Sequence, residues 1–73
     1  MKELDLHGIK HENVRQLLDS FIWMHMQNKT GTIKIITGNS SEMTNIVKTV
    51  VEEYGFSVVY KLGNSAEIIV DLI

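Results

Sequence analysis

Cysteine and proline are both missing from this 73-residue chain. Without cysteine there is no disulfide staple, no thiolate nucleophile and no cysteine-ligated zinc. Long apolar runs are missing too: Val50-Val51 and Ile68-Ile69-Val70 fall far short of a membrane span. No apolar stretch follows Met1 to Asp5, so no secretory signal is expected and a cytoplasmic location is. Strong charge of either sign is also lacking. Seven Lys/Arg against nine Asp/Glu give a formal charge of −2, so the field of the whole molecule does not draw in phosphate backbones. Any nucleic-acid contact must then come from a local patch. What remains is ordinary for a folded protein: 44% hydrophobic and 22% charged residues. The length allows one domain, residues 1–73, which buries only ~60% of the surface its unfolded chain exposes.

Periodicity divides the chain cleanly. Residues 2–7 alternate in polarity as a short strand does, and Gly8 breaks the pattern. From His11 to Gln27, Val14, Leu17, Leu18, Phe21 and Ile22 recur at helical spacing. The β-branched run from Thr32 to Thr37 predicts a second strand. After the turn at Gly38-Asn39-Ser40-Ser41, a second helix carries Met43, Ile46, Val47, Val50, Val51 and Tyr54 on one stripe. Asn39 or Ser40 can cap it, Asn39 with Glu42 forming a variant capping box, and Gly55 suits the left-handed residue at its end. Phe56 to Leu62 and Ala66 to Leu72 read as two further strands, joined in an antiparallel hairpin by a tight turn at Gly63-Asn64-Ser65.

The order is therefore βαβαββ. One strand face collects Leu4, Leu6, Ile33, Ile35, Phe56, Val58, Tyr60, Leu62, Ile68, Val70 and Leu72. The other is polar apart from Ile36, Val59 and Ile69. A doubly wound sheet would be apolar on both faces. One wet face predicts an α/β two-layer sandwich: a four-stranded mixed sheet with both helices on one side.

If the first two strands are parallel neighbours, Asp5-Leu6-His7-Gly8 ends beside Thr37-Gly38-Asn39-Ser40. Open α/β sheets place ligands at such strand ends. Asp5 and His7, two residues apart, are both expected on the wet face. The N–H groups opening the second helix favour an anion beside them. A carboxylate, an imidazole and a phosphate-compatible helix start are the parts of acid–base chemistry on a phosphodiester, although a D-x-H pair alone more often marks a solvated strand.

Leu4-Asp5-Leu6-His7-Gly8, with Glu12 opening the first helix, resembles the opening motif of the small MutS-related (Smr) domain. Thr37-Gly38-Asn39-Ser40 resembles that family's T-G-x-G motif, with Ser40 in place of the second glycine and Asn39 at a position that is often basic. The resemblance runs over essentially the whole chain. It implies a fold like the C-terminal domain of bacterial translation initiation factor three. It also implies nucleic-acid binding, of RNA or DNA, with endonuclease activity that cleaves RNA or nicks DNA. Carried onto this chain, Asp5 and His7 take the catalytic positions. Gly8, Lys10, Thr37, Gly38, Asn39, Ser40 and Lys48 form the nucleic-acid-binding set. No metal ligands are expected, and a cofactor is left open.

The other conspicuous side chains have plain readings beside functional ones. His11 reads as a solvated residue near Lys10 and Arg15. His25, near the end of the first helix, reads as a boundary residue interacting with the last carbonyls. Lys34 and Lys61 share the wet face with Glu3, Glu67 and Asp71, which predicts cross-strand ion pairs. Trp23 lies opposite the apolar stripe, as a stacking platform for a base, as an anchor for a protein partner, which its lack of basic neighbours favours of the two, or folded over Met26. A non-catalytic module, with Trp23 and the Ile36/Val59/Ile69 patch as its binding surface, is the alternative to a nuclease.

Overall fold

A computed structural model describes residues 2–60 and 66–72. In chain order the elements are β1 (Lys2–Asp5), α1 (His11–Gln27), β2 (Thr32–Ile36), α2 (Ser41–Glu53), β3 (Ser57–Tyr60) and β4 (Glu67–Asp71). This is the βαβαββ order expected. The expected turn at Gly63-Asn64-Ser65 lies outside the described residues.

The sheet runs β1-β2-β4-β3. β1 pairs parallel to β2, with Leu4 opposite Ile35 and Asp5 opposite Ile36. β4 lies between β2 and β3 and is antiparallel to both. Its central place explains why Ile68 and Val70 are fully buried. They alternate with Glu67, Ile69 and Asp71, which keep some exposure on the other face.

One core holds the layers together. Ile33, Ile35, Ile68 and Val70 from the sheet meet Val14, Leu18 and Ile22 of α1 and Met43, Val47, Val50 and Val51 of α2. Leu6, just past β1, is also completely buried there. Both helices thus cover the apolar sheet face. Burying side chains of this size stabilises by about 1.5–3 kcal/mol each, against the conformational entropy of ordering the chain.

The helix ends set the loop geometry. Ser40, not Asn39, caps α2: its Oγ accepts the Met43 N–H at 3.1 Å. The Asn39–Glu42 capping box is therefore corrected to a Ser40 cap with Met43 at the third helical position. At the other end Phe56 N–H donates to the Val51 carbonyl and Gly55 N–H to Glu52. With Gly55 at φ +82°, this is a Schellman closure. α1 closes the same way, Thr30 N–H to His25 O and Lys29 N–H to Met26 O, but its left-handed residue is Lys29, φ +54°.

Polar clamps join the helices. Arg15 pairs with Glu53 across the helix gap and with Asp19 one turn along, and the Tyr54 hydroxyl donates to Asp19 at 3.1 Å. The Glu53 hydrogen bond holds the Arg15 guanidinium even more firmly protonated than usual. Loss of hydration, helped by the bond to Asp19, raises Tyr54 above the ordinary phenol range. His11 is not simply solvated beside Lys10 and Arg15: its Nδ1 lies 3.2 Å from Glu42 Oε1, linking the starts of the two helices.

On the open sheet face Lys34 bridges Glu3 and Glu67, each at 3.5 Å, as the cross-strand reading expects. Lys61 lies outside the described residues. No described helix is long and apolar enough to cross a membrane.

Candidate functional site at the ends of the parallel strands

The two motifs meet at the C-terminal ends of β1 and β2. β1 stops at Asp5, two residues earlier than its alternation suggests. The reason is a tight turn: Ile9 N–H donates to Leu6 O at 3.0 Å, with Gly8 at φ +82°. Glycine at the third position of such a turn is what a type II geometry requires. His7 therefore belongs to the turn rather than to the pleat, and its side chain is exposed.

Asp5 secures that turn. Its Oδ1 accepts the backbone N–H of His7 at 2.9 Å. This is the local bond by which a short acidic side chain fixes the chain two residues on. The carboxylate thus holds the backbone that carries the imidazole, on a residue that is itself exposed.

The second motif supplies the surface behind His7. Gly38 has φ +67°, and a Cβ placed there would lie 3.5 Å from Cδ2 of the imidazole. The ring therefore lies close over the Gly38 backbone. That backbone is anchored from below: the Thr37 and Gly38 N–H groups both donate to the Ala66 carbonyl, at 2.8 and 3.2 Å. Thr37 is buried, and its hydroxyl lies within hydrogen-bonding reach of the Gly38 and Ala66 carbonyls. Thr44, one turn into α2, donates its hydroxyl toward Thr37 Oγ1 at 3.3 Å and lies 3.0 Å from the Ser40 carbonyl.

The remaining candidates spread around this centre. Asn39 is exposed at the tip of the β2–α2 turn. Ser40 has φ −86° and ψ 115°, a backbone any residue adopts, so the serine sits there without strain. Its cap uses the Met43 N–H, leaving the N–H groups of Ser41 and Glu42 as the unclaimed donors of the first helical turn. Gly8 serves the turn, with open space where a Cβ would be. Lys10 is the residue before α1 and is exposed, while Lys48 is half-buried two turns into α2, on the flank of Thr44. Asp5, His7, Gly38 and the start of α2 come together; Lys10 and Lys48 stand at the periphery.

Thr44 and Ala66 were not singled out by sequence. Ala66 acts through its carbonyl, which no side chain reports. Thr44 left one faint signal, a threonine in a helix interior, where its hydroxyl commonly bonds back four residues. Among the described residues no three His, Asp or Glu side chains converge closely enough to hold a metal ion.

The fold and this strand-end site define a two-layer α/β domain that presents an exposed imidazole beside a helix N-terminus. Residues 4–67 match the Smr domain, and the chain belongs to that family. No curated protein and no solved structure matches.

Proposed function

We propose that this chain binds nucleic acid at the Asp5–His7–Gly38 site and cleaves a phosphodiester there, in RNA or as a nick in DNA. The observation that carries the reading is the seating of the His7 imidazole over Gly38, in the loop that leads into α2. A phosphate that accepts the Ser41 and Glu42 N–H groups would lie beside that ring, with the helix dipole favouring its charge. His7 then acts as general acid or base on the attacking or leaving oxygen. Asp5 positions it through the backbone and stabilises an imidazolium electrostatically. Gly8, Lys10, Thr37, Asn39, Ser40 and Lys48 shape or flank the nucleic-acid path in this reading, Thr37 from beneath it.

The test compares purified wild type with His7→Ala on labelled RNA and DNA. His7 is exposed, so the variant should melt as wild type does. Cleavage present in wild type and lost in His7→Ala supports the proposal. Cleavage equal in both rejects His7 as the catalytic group.

A binding-only reading is favoured by two features of the first turn of α2. Ser40 takes up one N–H of the anion site and Glu42 adds a carboxylate in the first turn. Retained binding with no cleavage in either protein would select it, with the exposed Trp23 as a candidate contact for a protein partner.

A further inference from the structure

Among the described residues the sheet ends in two edge strands, and the two differ in kind. β1 carries Lys2, Glu3 and Asp5 among its residues, and charges of that sort guard an edge against pairing with another chain. β3, at the far side, reads Ser57-Val58-Val59-Tyr60. Its register with β4 is unbroken, so it lacks the charge, the proline and the bulge that blunt a sheet edge. Val59 keeps 51% of its surface exposed on the open sheet face, and Val58, on the inner face, is half-buried.

The phase of the hydrogen bonds shows what the β3 edge offers. Between β2 and β4, Leu72 N–H donates to Gly31 O at 2.7 Å and Thr37 N–H to Ala66 O at 2.8 Å. Bonded pairs alternate along an antiparallel ladder, so Ile68 and Val70 turn their backbone groups to β2, and Ile69 and Asp71 turn theirs to β3. Val59 and Ser57 stand opposite those two and therefore bond to β4. Val58 N–H and C=O are left pointing off the sheet, where no described strand meets them.

Symmetry selects the occupant. A two-fold axis at Val58 sets β3 antiparallel to its own copy, with Val58 N–H and C=O bonding reciprocally to the partner's Val58. Ser57 then stands opposite the partner's Val59 on the open face, the inner faces stay aligned, and no like charges meet. The same operation on β1 opposes Glu3 to the partner's Glu3 in one aligned register and to the partner's Asp5 in the next, and both repel. The β3 edge matches itself; the β1 edge does not.

We propose that β3 is a homodimerisation edge, through which two copies of this chain join into one eight-stranded sheet. β1 and β3 are opposite edges, so the pairing leaves the Asp5–His7–Gly38 site open and does not depend on its function. Short strands make a small interface, which places the dimer among weak, concentration-dependent ones.

Sedimentation velocity and amide exchange by NMR, across protein concentrations up to about 1 mM, provide the test. Wild type should pass from monomer to dimer with a Kd of about 0.1 mM. Exchange of Val58 N–H should slow as the dimer forms, while Val59 N–H, already bonded to β4, changes little. Ser57 and Val59 are exposed, so Ser57→Lys/Val59→Lys and Ser57→Glu/Val59→Glu should each melt near the wild-type temperature. Each alone should self-associate about tenfold more weakly, because like charges face one another across the seam, and an equimolar mixture should recover dimers. A wild type that stays monomeric at about 1 mM overturns the proposal. So does a dimer whose formation leaves Val58 exchange unchanged, a lysine variant that dimerises as wild type does, or a mixture that associates no better than either variant alone. Should a charged variant fail to fold, the Val58 amide of wild type decides by itself.

Discussion

The His7 imidazole lies against Gly38, so that a methyl group on Gly38 would meet the ring at 3.5 Å. That spacing is ordinary van der Waals contact, and the harm in adding a side chain comes from the backbone at φ +67°. Gly8 is as strained, φ +82°, but has open space around it. Gly38→Ala and Gly8→Ala should therefore each cost about 1 kcal/mol, or a melting temperature lower by roughly 4–8 °C. The Gly38 change sets a methyl in contact with the His7 ring, whereas the Gly8 change reaches His7 only through the turn backbone they share, so the ring signals should move more in Gly38→Ala than in Gly8→Ala. Thermal melts and histidine NMR decide it; equal ring shifts in the two variants would sever the His7–Gly38 link.

Leu6 tests the placement of the core. It is completely buried although it follows the last strand residue, because its N–H still bonds to Ile36 O at 2.8 Å and keeps the side chain pointing inward. Leu6→Ala should cost about 2–5 kcal/mol, a large part of the stability of so small a domain. Leu6→Asp should leave no cooperative melt, since the carboxylate would be buried without a partner. A near-native melt in Leu6→Asp would mean that this residue does not face the core.

The fold was legible in the sequence because its periodicities are clean. The wet sheet face showed in Glu3, Asp5, Thr32, Lys34 and Asp71, and the core in the alternating Ile33/Ile35 and Ile68/Val70. The junction of the two motifs was legible as well, since a helix between two neighbouring strands implies parallel pairing. What escaped were features made by backbone groups and by burial. The turn at His7-Gly8 ends β1 early, the Ala66 carbonyl anchors the loop, and the shielding of His25 combines its helix neighbour Phe21, four residues back, with Thr30 beyond the helix end, whose approach depends on the backbone of the turn. The cap went to Ser40 rather than Asn39 because the first helical residue is Ser41, a shift of one position that sequence patterns do not resolve.

Alkaline pH should loosen the helix clamp. The raised Tyr54 hydroxyl keeps its proton in the folded state above the pH where the unfolded chain loses it, near 10.0. The folded form then binds more protons, so stability is fully present below about pH 10 and declines as pH rises through the shifted value. Tyr54 still keeps 37% of its surface exposed, so screening by solvent keeps the effect small. Tyr54→Phe removes the bond to Asp19 and should flatten this part of the decline. Urea midpoints measured from neutral pH to pH 11 should converge for the two proteins at the alkaline end. Curves that remain parallel throughout would remove Tyr54 as the cause.

The loop at Asn39-Ser40 is where binding and stability should separate. Ser40 Oγ satisfies the Met43 N–H, so Ser40→Ala should cost about 1 kcal/mol, whereas Ser40→Gly should cost only a few tenths. Ser40→Gly also returns the Met43 N–H to the group available for an anion, giving the first turn of α2 three donors in place of two. Asn39 is exposed at the tip and makes no cap, so Asn39→Lys adds a cation beside that turn with little effect on folding. Its charge opposes the helix dipole, which costs a few tenths of a kcal/mol at an exposed position. The double variant Asn39→Lys/Ser40→Gly should bind RNA about tenfold more tightly than wild type, with a steeper dependence on salt because one more phosphate is neutralised. Adding His7→Ala should leave that affinity in place and abolish cleavage, separating the phosphate cradle from the proton-transfer group. Fluorescence anisotropy across a salt series provides the measurement. Unchanged affinity and slope in the double variant would show that no phosphate approaches this loop, and the exposed face of α1 around Trp23 would then be the surface to test next.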